Sequence, residues 1–145
     1  MMSRAKGGNI DHVVICSRGI FAIETKTRSK PAKPVVVVED DQLLVDGYPP
    51  GRDPIVPALT CANNLRQILP ESTGKIFDVR PIVVFPGWFI QDKRNFGAPV
   101  WVLEPKGLPA WIQREAATIA EADVSLATYH LSRYIRTYKK SRLSS

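Results

Sequence analysis

Asp11, Glu24 and Lys26 lie on two adjacent apolar runs, residues 9–17 and 20–27. Both runs alternate in the manner of strands: Ile10, His12, Val14 and Cys16 against Asp11, Val13 and Ile15, then Phe21, Ile23 and Thr25 against Ile20, Ala22, Glu24 and Lys26. The turn signal at residues 17–20 predicts a hairpin. With Arg18-Gly19 as its two-residue loop, Ser17 faces Ile20, Val13 faces Glu24 and Asp11 faces Lys26. Paired residues share a face, so the three charged side chains emerge together. Two carboxylates and an ammonium among Val13, Ile15, Ala22 and Ile23 are costly to bury unless they are paired or hold a cation. Magnesium prefers hard oxygen ligands, so one carboxylate from each strand and the main-chain carbonyl of Thr25 would suit it, leaving room for a phosphate oxygen. Lys26 could then orient or help deprotonate an attacking water and offset the charge that develops on the phosphoryl group. Spacing alone also allows a plain half-exposed hairpin whose Asp11–Lys26 pair contributes only ~0.2–1 kcal/mol.

The segment Asn9-Ile10-Asp11-His12-Val13-Val14-Ile15, followed by Gly19-Ile20-Phe21-Ala22-Ile23-Glu24-Thr25-Lys26, resembles the NERD (nuclease-related) domain, a family similar to the PD-(D/E)XK nucleases. The resemblance implies a three-layer α/β, restriction-endonuclease-like core with a mixed central sheet. It also implies Mg2+ or Mn2+ as cofactor, Asp11, Glu24 and the Thr25 carbonyl as metal ligands, and Lys26 as the catalytic lysine. His12 matches the family's histidine, and alternation sets it on the opposite face, as packing or polar support. The chain departs from the pattern twice. Only residues 1–8 precede the signature, where the family carries a helix with a glutamate and a further strand, so an N-terminally truncated core is expected. Pro57 stands where the family has a helical glutamine, whose hydrogen bonds proline cannot make.

The 145 residues, 44% of them hydrophobic, fit one domain with its own core, residues 1–8 and 140–145 being tails. A net charge of +6 favours a polyanionic partner, and DNA is expected, with RNA as the alternative. Cys16 and Cys61 form no CxxC or Cys-His cluster, which argues against a zinc site or disulfide framework and suits a cytoplasmic setting. No stretch approaches the roughly 18 apolar residues of a membrane span.

Candidate phosphate contacts are spread along the chain. Arg28, Lys30 and Lys33 occupy a proline-punctuated loop after the second strand, and Lys93 and Arg94 sit in a loop among Trp88, Phe89 and Phe96. Arg133, Arg136 and Lys140 form a stripe on a helix predicted over 123–140, beyond whose first residue there are five Lys or Arg and no acid. Between these lie a second hairpin, 35–38 with 42–45, whose acidic Glu39-Asp40-Asp41 reads as a turn. A helix follows that starts at Asp53-Pro54 and ends near Pro70. Then come a doubly buried strand over 80–85, a short strand over 99–103 and a helix over 109–119. Two functions fit: metal-dependent hydrolysis of DNA phosphodiesters, endo- or exonucleolytic, or a catalytically weakened module that binds nucleic acid or docks a partner. A homo-oligomer or partner protein is expected to cover the open sheet edge.

Overall fold

The computed structural model describes residues 12–95 and 97–144, with side chains described up to Arg133. Its strands are β1 (His12–Cys16), β2 (Gly19–Thr25), β3 (Val35–Val38), β4 (Leu43–Val45), β5 (Val79–Val84), β6 (Phe89–Asp92) and β7 (Trp101–Leu103). The helices are α1 (Ile55–Thr73), α2 (Leu108–Gln113) and α3 (Glu121–Ser144). A single 3-10 turn, Pro105–Gly107, leads into α2.

The strands divide into two mixed sheets, where the sequence predicts one central sheet. The first has the order β1-β2-β5-β7, and the second β4-β3-β6. In the first, β1 runs antiparallel to β2, and β2, β5 and β7 run parallel. β5 is buried along almost its whole length, as its unbroken apolar run requires of a strand covered on both faces. One face, through Ile20, Ala22 and Val79, packs on Cys61, Ala62, Leu65 and Leu69 of α1 and on Ala127 and Leu131 of α3. The other, through Phe21, Ile23, Ile82, Val84 and Trp101, packs under Leu108, Trp111 and Ile112 of α2.

The second sheet forms because residues 88–92 do not make the expected loop. Trp88 is buried and Phe89–Asp92 extend alongside β3, with the Phe89 N–H donating to Pro34 O and the Lys93 N–H to Val38 O, both at 2.8 Å. Pro86 and Gly87 reverse the chain between β5 and β6. Trp88 N–H donates to Phe85 O at 3.1 Å, and Gly87 has φ +80°, the left-handed position a type II turn reserves for glycine. Ile55, Ala58 and Leu59 cover the second sheet from the first turns of α1, so one helix braces both sheets. Asp53 accepts from the Ile55 N–H at 2.9 Å, as expected at the helix start. The helix runs past Pro70 to Thr73, because a proline forfeits one N–H bond while its own carbonyl still accepts from the Gly74 N–H at 2.8 Å.

The family-like hairpin is present with a register two residues from the one expected. Its turn is Ser17-Arg18, and Cys16 pairs with Gly19, Val13 with Ala22 and His12 with Ile23. Gly19 explains the choice. At φ +147° it begins the strand in backbone that side chains disfavour, and a Cβ there would meet the Phe21 ring at 3.2 Å. A shift of two preserves parity, so every residue keeps its expected face. α2 stops at Gln113, short of the expected residue 119, where the Thr118 and Ile119 N–H groups instead bind Ser17 O and hold the hairpin tip.

Candidate active site

Glu24 is the last residue but one of β2, on the face covered by α1 and α3. Among the described residues it is the sole buried charged side chain, 6% exposed. Lys26, just beyond the strand, places its Nζ 3.4 Å from Glu24 Oε1. Their shared face is the expected one, and the Lys26 N–H donates to Val84 O at 2.9 Å, continuing the parallel ladder past Thr25. Asp11 lies outside the described residues. No group of three or more His, Cys, Asp or Glu that could hold a metal occurs among the described residues. His12 is exposed, and its side chain makes no hydrogen bond among the described residues.

Cys61, buried on α1, shares this environment. Burial, and then the negative charge of Glu24, push its thiol up to about 11 from an ordinary 9.0. Such a thiol is inert at neutral pH. Between pH 9 and 11 the unfolded chain gives up this proton while the folded chain keeps it, so stability falls as pH rises through that window. Urea midpoints of the native chain should therefore drop from pH 9 to 11 more steeply than those of Cys61→Ala. Parallel slopes would show that Cys61 does not carry the effect.

Beyond Lys26 the chain turns over the C-terminal ends of β5 and β7. Lys30 lies across Gly87, where a Cβ would fall 2.4 Å from its Nζ. Glu104 accepts from the Gly87 N–H at 3.0 Å and from the Lys106 N–H at 2.8 Å. These bonds, with the charges of Lys106 and Lys30, hold its carboxyl below the ordinary value. Lys26 and Lys30 thus stand at the C-terminal ends of the parallel strands of the first sheet. Arg28, Lys33 and Lys93 are exposed.

Other expected phosphate contacts fare differently. Arg94 is taken up by Asp92, its Nε and Nη2 donating to the two carboxylate oxygens at 3.0 and 2.8 Å. Arg133 is exposed over the Tyr129 ring at 5.8 Å, and the side chains of Arg136 and Lys140 lie outside the described ones. Phe96 lies outside the described residues, Trp88 is a core residue and Phe89 is exposed on β6, so of the expected aromatics Phe89 alone is exposed near Lys93 among the described residues. Arg66 staples α1 to β5 through Asp78 at 3.1 Å and Val79 O. No helix among the described residues is long and apolar enough to cross a membrane.

Comparison with curated proteins and with solved structures gives no match. The family model of the nuclease-related domain matches residues 3–86, a span that takes in β1, β2, Glu24, Lys26, α1 and β5. A match over more than half the chain, which includes the strand that buries an acid beside a lysine, shows that the protein belongs to the NERD, or nuclease-related domain, family.

Proposed function

We propose that the chain is a metal-dependent nuclease of DNA, working as one unit over residues 1–145, with its reacting centre at Glu24 and Lys26. The buried Glu24 carboxylate with the Lys26 ammonium at 3.4 Å carries this reading. A carboxylate withdrawn from water at a strand end favours cationic company, and Lys26, one-third exposed, supplies a positive charge beside it. The donor set suits a hard cation. Asp11, Glu24 and the Thr25 main-chain carbonyl are the oxygens that would hold Mg2+ or Mn2+. When bound, the ion supplies Lewis acidity and neutralises phosphate charge. The protein's own part is electrostatic and positional: Lys26 orients the attacking water against Glu24 and offsets charge growing on the phosphoryl oxygens. Arg28, Lys30, Lys33 and Lys93, with the α3 stripe of Arg133, Arg136 and Lys140, give the approaching backbone its counter-charges. A partner strand, from a second copy or another protein, belongs beside β1, one of the two edge strands of the first sheet among the described residues. Sedimentation of the purified chain checks this, and a strict monomer would leave another protein as the candidate.

Pro57 favours a second reading, a module that holds nucleic acid without cutting it. It sits in the first turn of α1, where it leaves no side-chain donor or acceptor. One assay separates the two: single- and double-stranded DNA and RNA, incubated with magnesium, manganese or chelator. Cleavage of DNA that chelator stops is the expected result. Cleavage indifferent to chelator overturns the mechanism, and retention without cleavage selects the binding module.

A further inference from the structure

A second charged site lies on the opposite face of the first sheet. A cavity of about 450 Å3 opens between the start of β7, the end of β6 and α2, across the sheet from the face that buries Glu24. Two indole rings line it, Trp101 and Trp111, edge to face with centroids 5.2 Å apart. Arg80 stands over Trp101 at 5.0 Å, its Nη1 donating to the carbonyls of Ala98 and Pro99 at 3.4 and 3.3 Å and its Nη2 lying 3.7 Å from Glu115. Arg94 is held rigidly by Asp92. Burial would raise that carboxyl, but hydrogen bonds and charge from Arg94 outweigh it and keep the carboxyl below its ordinary value. Arg114, at the rim and exposed, makes no hydrogen bond or ion pair through its side chain among the described residues.

Three arginines against two acids leave the lining net positive, and the uncompensated charge is at the mouth. Flat aromatic walls with an arginine fixed above one of them suit a planar π-system, and a free guanidinium at the rim suits a phosphate. The volume falls in the range that small-molecule sites occupy. We propose that this cavity binds a nucleoside 5′-monophosphate unit, with the base against Trp111 and the phosphate on Arg114, either as the free nucleotide or as the terminal residue of a nucleic-acid strand. The site is independent of Glu24 and Lys26, so it stands or falls apart from the proposed hydrolysis.

The chain's three tryptophans make the test direct. The indole N–H resonances of the 15N-labelled full chain are followed in chelator while deoxyadenosine 5′-monophosphate, inorganic phosphate or a 5′-phosphorylated oligothymidylate is added. Trp101 and Trp111 should shift with saturation at roughly 1 mM or below, with the buried Trp88 unmoved as internal control. Arg114→Ala, at an exposed position, should weaken the nucleotide by about tenfold, the worth of one charge-assisted hydrogen bond. Trp111→Phe identifies its resonance and keeps an aromatic wall should larger changes disturb α2. Shifts produced by the oligonucleotide with the same Arg114 dependence identify a strand end as the occupant, and shifts produced by the mononucleotide alone identify the free nucleotide. The proposal is overturned if neither nucleotide probe saturates, if phosphate alone binds as tightly as the nucleotide, or if Arg114→Ala binds as the native chain does.

Discussion

Glu24→Gln is expected to lower metal-dependent DNA cleavage by at least about a hundredfold, since even residues that merely support a metal ligand cost ~10–100-fold when lost. The same change should leave the fold intact. Glutamine keeps the shape of the side chain and removes a carboxylate that is only 6% exposed, so the desolvation cost of a buried charge disappears along with its attraction to Lys26. Thermal melts should therefore match the native chain or rise slightly while activity collapses. Lys26→Gln should lose roughly a hundredfold as well, because its charge no longer orients the water or offsets the charge growing on the phosphoryl group. Equal cleavage by both variants and the native chain would remove the site from β2 altogether. A Glu24→Gln chain that is inactive because it is unfolded would show in the melt.

Phe21→Ala should cost ~3–5 kcal/mol of stability, a large share of the ~5–15 kcal/mol that holds a domain of this size together. Phe21 is 1% exposed, lies 5.7 Å from the Trp101 ring and sits beneath Gly19, where close contact limits how far the backbone can collapse into the space left behind. Urea titration should give a lower midpoint with an unchanged slope. Ile76→Ala, at a residue 92% exposed, is the control and should stay within about 0.5 kcal/mol. A loss below ~1 kcal/mol at Phe21 would mean that α2 does not close that face of the sheet.

Period-two alternation was enough to assign Glu24 and Lys26 to one face, because parity survives a register shift of two; the hairpin register itself was not, since it depends on the backbone that Gly19 adopts at φ +147°. β5 was legible as a doubly buried strand from its apolar run. The second sheet was not. Its parallel pairing of β3 with β6 joins residues about fifty apart, and nothing local in Phe89-Ile90-Gln91-Asp92 announces it. Asp46-Gly47 did carry a local signal. Both residues have positive φ, and Val45 and Tyr48 exchange hydrogen bonds across them, the tight hairpin turn that an Asp-Gly pair favours. The pairing of Arg94 with Asp92 was not legible, because an acid two residues away reads as ordinary loop polarity until a strand fixes both side chains. The Arg80, Trp101 and Trp111 cavity draws on residues up to 35 positions apart, from Arg80 to Glu115, and left no trace in spacing, whereas Glu24-Thr25-Lys26 is contiguous.

The parallel pairing of β2 with β5 has a consequence for the order of events on the ribosome. A hairpin can close as soon as its second strand emerges, so β1 and β2 can zip early. The strand bearing Glu24 then waits for residues 79–84 to gain its other neighbour, and until α1 and Ala127 and Leu131 of α3 arrive the acid faces water. Until residues 121–131 have emerged, the nascent chain therefore carries Glu24 as a hydrated carboxylate. The desolvated acid of the folded protein comes into being only when α3 docks, which ties the timing of competence to the synthesis of that helix.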